Sequence, residues 1–194
     1  DPSIGNLQPV LDSYWLMIHV AIIVGSYGPL TLGMILGVTT LLLMILTSSK
    51  NKEKMALNIK ELTIVNEMAL TVGLVMLTIG NFLGGMWANE SWGRYWGWDP
   101  KETWALISIM IYAFVIHMRL IPGLRSRFGF SVASVLAFGS IMMTYFGVNF
   151  YLAGLHSYAK DDQEISITYI ATALIIITLL SVFAYRKHLK YFKK

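Results

Sequence analysis

The sequence ITYIATALIIITLLSVFAY, residues 167–185, decides the fold class of this chain. It has no charged side chain and is long enough to cross the hydrocarbon core of a bilayer, which takes about 20 apolar residues in a helix. Four further apolar segments precede it, over residues 14–47, 63–87, 104–121 and 130–153. None shows the polar alternation of a barrel strand, so each is expected to be a helix. The sequence therefore predicts an all-α, polytopic transmembrane helix bundle of about five spans.

Composition separates the chain from soluble and nucleic-acid-binding proteins. Only 13% of its residues are charged, whereas soluble domains carry about 25%. The net charge of +4 comes from short basic clusters between apolar segments, which is typical of membrane topology and not of nucleic-acid binding. Cysteine is absent, so the chain has no disulfide, thiolate metal site or Cys-x-x-Cys-His haem attachment site of its own. We expect residues 1–194 to form one membrane domain, a segment of a longer protein whose upstream part is missing.

The first apolar segment is longer than one crossing requires. It contains the run Gly25-Ser26-Tyr27-Gly28-Pro29, where the proline predicts a kink. Two full crossings would need a polar turn that this segment lacks. One crossing is therefore expected, with an outer stretch that carries His19.

The distribution of Lys and Arg predicts the orientation. Most basic residues fall on one side of the membrane, namely Lys50, Lys52, Lys54, Lys60, Arg119, Arg125, Arg127, Arg186, Lys187, Lys190, Lys193 and Lys194. The other side carries Arg94, Lys101 and Lys160. Cytoplasmic loops are enriched in Lys and Arg. The N-terminus is therefore predicted to lie outside and the C-terminus in the cytoplasm.

Five of the six tryptophans fall between Trp87 and Trp104, in the loop expected to join the second and third spans on the outer face. One interpretation is an aromatic belt, because Trp and Tyr collect at both membrane interfaces. The alternative is a platform for a planar ligand such as a porphyrin. The concentration of rings in one loop favours the platform, and glycines at 93 and 97 permit a close approach of the backbone. On the residues alone both interpretations stay open.

The end of this loop predicts a rigid start of the third span. Asp99 is a good N-cap, Pro100 suits the first helical position, and Glu102 completes a capping box. Arg94 and Lys101 carry the positive charge that would meet the propionates of a porphyrin.

The four histidines are distributed unequally. His19 and His156 are predicted to share the outer face with the tryptophan loop, where two imidazoles and an aromatic platform would suit a bis-histidine haem site. Each of them taken alone fits an interfacial, hydrogen-bonded histidine as well. His117 lies about 20 Å deeper in the third span, where an ionisable residue is a functional candidate by default. Arg119 follows it closely, so an interfacial residue without a function remains the alternative there. His188 belongs to the basic tail.

Three stretches carry a resemblance to a known family. WGRYWGWDPKETW, residues 92–104, resembles the tryptophan-rich WWD signature of haem-handling proteins in cytochrome c maturation. Its ending DPKETW is similar to the CcsA (ResC) branch and differs from CcmC and CcmF. LQPVLDSYW, residues 7–15, and GVNFYLAGLH, residues 147–156, extend the resemblance over essentially the whole chain.

The resemblance implies roles for particular residues. His19 and His156 would be axial ligands of an external haem b, and His117 would belong to a transmembrane haem site. The haem would lie beside the signature residues Trp92, Arg94, Trp96, Trp98, Asp99, Lys101 and Trp104. Among these, Trp96, Trp98 and Asp99 are expected to matter most for binding the porphyrin. The family's second transmembrane histidine has no counterpart here, so the inner haem site is expected to be incomplete in this chain.

The resemblance also implies a location and partners. Such proteins lie in the bacterial inner membrane, pass haem to the outer face, and act with a CcsB (ResB) partner that is sometimes fused upstream. There the haem is joined to the thiols of an apocytochrome c Cys-x-x-Cys-His motif. The chain is thus expected to be part of a holocytochrome c synthase complex. One alternative is a haem chaperone or exporter without synthase activity, and another is a structural membrane subunit.

Overall fold

The computed structural model describes residues 13–152 and 166–192, and this part of the chain contains helices and no strand. The helices are α1 (Tyr14–Ile45), α2 (Lys52–Trp92), α3 (Pro100–His117), α4 (Arg127–Met142), α5 (Val148–Tyr151) and α6 (Ile167–Tyr191). A 3₁₀ turn, Met118–Leu120, follows α3, and a π-helical segment, Met143–Gly147, joins α4 to α5 as one continuous span. Five helical stretches are long and apolar enough to cross a membrane, so the predicted five-span, all-α fold is confirmed.

Helix α2 begins earlier than its apolar segment indicates. It starts at Lys52 and not near residue 63, and has 41 residues. It also ends at Trp92, and α3 begins at Pro100, so the predicted loop over residues 87–104 was too long: Trp87, Trp92 and Trp104 lie in helices and only residues 93–99 form the loop. At about 1.5 Å per residue α2 is roughly 60 Å long, twice the thickness of the hydrocarbon core. The polar run KEKMALNIKEL continues the helix into the aqueous phase, because Lys, Glu, Leu, Met and Ala are all good helix formers.

Helix α1 continues through Pro29 without interruption, which confirms a single crossing. The hydroxyl groups of Ser26 and Thr31 donate hydrogen bonds to backbone carbonyls one turn back, at 2.6 Å each. These bonds satisfy the two hydroxyl groups within the helix, as buried polar side chains in a membrane span require.

An antiparallel seam joins α1 to α2. Large residues on one helix lie on glycines of the other, in the pairs His19/Gly84, Ile23/Gly80, Leu30/Gly73 and Leu70/Gly33. Between successive pairs, each step forward along α1 is matched by an equal step backward along α2. One register therefore describes all four pairs. Apolar side chains gain little by leaving lipid for a helix interface, so close approach at small residues drives this packing. Of these four pairs, His19/Gly84 lies nearest the start of α1 and the end of α2.

The bundle has two chemically different ends. The aromatic end carries loop 93–99 and the start of α1, and the basic end carries residues 46–51 and 118–126. Helix α6 packs on the others near the basic end, where Ala184 is fully buried and the Lys187 Nζ donates to the Thr47 carbonyl oxygen at 3.0 Å. Its opposite half is almost entirely exposed.

Candidate ligand-binding site

A cavity of about 270 Å³ opens at the aromatic end. It lies between α1, α2, loop 93–99, the start of α3 and the π-helical segment. Its principal lining residues are His19, Tyr27, Trp87, Trp96, Lys101 and Tyr145. The volume is close to the lower limit of about 300 Å³ for pockets that hold small molecules. The cavity is mostly aromatic and aliphatic, with an imidazole in one wall and an ammonium group in another.

The ring of His19 is held on three sides. It stacks on Trp87 with 6.2 Å between ring centroids and an interplanar angle of 9°, and it lies on the backbone of Gly84. Its Nδ1 is 2.7 Å from the carbonyl oxygen of Gly80. A carbonyl oxygen can only accept, so Nδ1 carries the hydrogen, and in the neutral ring Nε2 then carries the lone pair. Histidines that bind a metal typically donate the other ring N–H in this way.

Trp87 is the buried aromatic wall of this site. Only 1% of its surface is exposed, and its ring meets the Trp92 ring edge to face at 4.7 Å. In the sequence, Trp87 is one of the clustered tryptophans, and the cluster alone does not distinguish it from the others. Its helical spacing from Gly80 and Gly84 is the signal that places it on the face towards α1.

The predicted capping box at the start of α3 is confirmed. The Asp99 side chain accepts a hydrogen bond from the Lys101 N–H at 3.2 Å, and the Glu102 carboxylate accepts one from the Asp99 N–H at 3.2 Å. Two orphan amides of the first turn are satisfied in this way. The box fixes Lys101, whose half-buried side chain lines the cavity.

Arg94 is engaged within the loop. Its guanidinium lies 5.5 Å from the centroid of the Trp92 ring and covers the backbone of Gly97. It also forms an ion pair with Glu102 at 3.5 Å. The space over Gly97, which would suit a flat ligand, is filled by this side chain. Lys101 is therefore the better placed of the two predicted cations.

The signature tryptophans divide between the cavity and the surface. Trp96 lines the cavity, whereas Trp98 and Trp104 lie outside its lining. Trp98 is 70% exposed and meets the Trp96 ring edge to face at 5.7 Å. Its backbone φ is +57°, the one positive value at a non-glycine residue among those described. For a bulky residue this conformation is strained and has to be enforced by its surroundings.

Two tyrosines that no sequence motif marks form part of the site. Tyr27 of α1 and Tyr145 of the π-helical segment meet edge to face at 6.1 Å, and both line the cavity. π-Helical turns are rare and frequent at functional sites. This turn brings Tyr145 to the cavity, and its presence is not readable from apolar periodicity.

The other predicted ligands lie elsewhere. His117 is exposed near the basic end of α3, and its Nδ1 donates to the Ala113 carbonyl oxygen at 2.6 Å, the same tautomer as in His19. Arg119 beside it pairs with Glu67 at 2.6 Å. His156 lies outside the described residues. Within residues 13–152 and 166–192, no three His, Asp or Glu side chains are grouped so as to hold a metal ion.

The fold and the site define an integral membrane protein whose five-span helix bundle has a cavity lined by histidine and tryptophan at one end. The sequence profile of the family described as cytochrome c assembly protein matches residues 1–156. The chain belongs to this family, which confirms the resemblance seen in the signature loop. Assembly of cytochrome c implies handling of haem and of an apocytochrome.

Curated relatives support the assignment. The chain is 56% identical over 164 residues to Protein NrfI of Wolinella succinogenes, covering 84% of this chain and 18% of that protein. It is 38% identical over 178 residues to the cytochrome c biogenesis protein CcsA of Prochlorococcus marinus strain MIT 9301, covering 80% of this chain and 57% of that protein. For CcsA of Cyanophora paradoxa the identity is 34% over 197 residues, covering 80% and 61%. The chain therefore spans less than two thirds of these relatives.

Proposed function

We propose that this chain binds haem b at its aromatic end and presents it for covalent attachment to apocytochrome c. The observation that carries the proposal is the arrangement of His19. Its ring is stacked on Trp87, and its Nδ1 hydrogen is directed to the Gly80 carbonyl oxygen, so Nε2 is the nitrogen that can bind iron. Membership of a cytochrome c assembly family makes haem the planar, iron-containing ligand that suits this site.

The chain's own residues would bind and orient the haem. His19 would supply one axial nitrogen and His156 the other, since a bis-imidazole set is a common ligation of haem iron. Trp87 and Trp96 would contact the porphyrin ring, and Lys101 would pair with a propionate. Asp99 would act through the capping box that fixes Lys101. Trp92 would act through its edge-to-face contact with Trp87.

The covalent step needs groups that this chain lacks. It has no cysteine, so the thiols come from the Cys-x-x-Cys-His motif of the apocytochrome. Each sulfur adds to one vinyl group of the haem and the thiol proton goes to the other vinyl carbon, which requires no oxidant. The contribution of this chain would be proximity and orientation. NrfI and CcsA are longer than this chain, which supports a further segment in the complete synthase; a CcsB-type partner is proposed with it from the resemblance of the signature.

An absorption spectrum of the complete protein, purified from membranes with its partner, tests the proposal. A Soret band with the signature of two histidine ligands is expected. Co-expression with an apocytochrome then separates two activities, because a synthase yields a product with covalent haem and a chaperone or exporter does not. Absence of any bound haem would leave the structural-subunit alternative.

The proposed site faces the outside of a bacterial inner membrane, since the basic end carries most of the Lys and Arg. Residues 1–194 contain no cysteine, so cysteines introduced into them can report the orientation. A single cysteine introduced by Asn89→Cys at the aromatic end should react with an impermeant thiol reagent in intact cells. One introduced by Ser49→Cys at the basic end should react only after permeabilisation. Reaction of both from the same side would contradict the orientation.

We propose further that His117 is half of a transmembrane haem site completed by residues outside this chain. His117 lies in a helix that is long and apolar enough to span the membrane, where an ionisable residue is a functional candidate by default, and its Nδ1 bond leaves Nε2 as the ligating nitrogen. In the complete protein with its partner, His117→Ala should lower the haem content several-fold without changing the spectrum of the outer site. Unchanged haem content and cytochrome maturation would reduce His117 to an interfacial residue.

A further inference from the structure

Two backbone hydrogen bonds to one side chain flank Trp98. The N–H of Gly97 donates to the Glu102 Oε2 at 2.8 Å, and the N–H of Asp99 donates to the same oxygen at 3.2 Å. These two amides stand on either side of Trp98, whose φ is +57°. One carboxylate oxygen of Glu102 therefore binds the backbone on both sides of Trp98, the residue with the strained φ.

This arrangement goes beyond a helix cap. A capping box requires the bond from the Asp99 N–H, but it does not require the bond from Gly97 two residues upstream. The other carboxylate oxygen of Glu102 lies 3.5 Å from Arg94, and the Glu102 side chain is only 10% exposed. Glu102 therefore connects three points of the loop and does so from a nearly buried position, where hydrogen bonds to a charged group are strong.

As a consequence, the rings of Trp96 and Trp98 lie in different surroundings. With Trp98 in the left-handed region the chain reverses locally. Trp96 then lies in the cavity lining, while Trp98 is 70% exposed. An extended backbone would place residues 96 and 98 on the same side, because side chains two apart in an extended chain share a face.

We propose that Glu102 is the positioning residue of the tryptophan loop: by accepting from the amides on both sides of Trp98 it holds Trp96 in the ligand cavity and displays Trp98 outside it. The role of Trp96 towards haem rests on the function proposed above. The positioning of the loop does not, since it follows from the contacts of the protein alone.

The test uses the complete protein with its partner and three variants. Glu102→Ala removes the acceptor. Glu102→Gln keeps an oxygen that can accept from both amides, but loses the charge and with it the ion pair to Arg94; glutamine is compatible with a capping box. Glu61→Gln, at an exposed position of α2 near the basic end, is the control for loss of one carboxylate. Amide hydrogen exchange of a peptide covering residues 93–99 reports the loop directly, and the Soret band reports haem content.

For Glu102→Ala we expect exchange in the loop to rise roughly tenfold, as for the loss of one charge-assisted hydrogen bond, and haem content to fall with it. Glu102→Gln should restore most of the protection and most of the haem, and Glu61→Gln should change neither. Unchanged exchange in Glu102→Ala would overturn the proposal, whatever the haem content. So would a Glu102→Gln protein as impaired as Glu102→Ala, because charge and not the acceptor would then matter. If the wild-type protein holds no haem but the exchange results follow expectation, the proposed function fails while the positioning role stands.

Discussion

Replacement of His19 by alanine should abolish haem binding at the aromatic end and stop cytochrome c maturation. Loss of a partner that merely orients a metal ligand typically costs about 10–100-fold in affinity, and His19 is proposed as the ligand itself. The cavity and its tryptophans would remain, because Trp87 is buried against neighbours other than His19. Added imidazole should therefore enter the vacated position and partly restore the Soret band and the maturation.

His188→Gln provides the matched control for His19→Ala. This histidine lies at the basic end, stacked between Phe128 and Phe192, and its loss should leave haem content and maturation unchanged. Wild-type maturation by the His19→Ala protein would remove His19 from the site. A loss that imidazole cannot repair would point to a structural role for the residue.

Gly84→Ala should impair the same site without removing any ligand. A methyl group at position 84 would lie 2.6 Å from His19 Cε1 and 2.8 Å from His19 Nδ1, closer than real side-chain contacts. The imidazole has to move off the seam and lose its bond to the Gly80 carbonyl oxygen. We expect haem affinity to fall about tenfold, within the range for loss of an orienting hydrogen bond to a ligand.

Two comparisons make the Gly84→Ala result specific. Gly139→Ala is also a helical substitution, but nothing lies within 4 Å of the added methyl group, so it should be neutral or slightly stabilising. Imidazole should not rescue Gly84→Ala, because the His19 side chain is still present, and its displaced ring leaves no vacant space for free imidazole. Full haem content in Gly84→Ala, measured by the Soret band of the purified complete protein, would show that the seam does not orient His19.

The sequence alone determines the membrane class and the number of spans, because apolar runs such as residues 167–185 exceed what a soluble helix buries. It also determines the start of α3, since Asp99, Pro100 and Glu102 are local signals that act within one helical turn. The boundaries of α2 were harder to predict from the sequence. Apolar length locates the part inside the lipid, whereas polar helix formers extend that helix well beyond it.

The tertiary structure decided how the candidate site is built. Sequence pattern brings His19 and the tryptophans to the same end of the bundle, but it does not show that the outermost pair of the glycine seam places the His19 ring on Gly84 and against Trp87. That placement depends on the register between two helices, a sum of many contacts distant in sequence. In the same way, the contrast between Trp96 in the cavity and Trp98 outside it follows from a backbone angle enforced by Glu102. Residue types determine what chemistry is possible at this end of the molecule, and packing determines which side chains line the cavity.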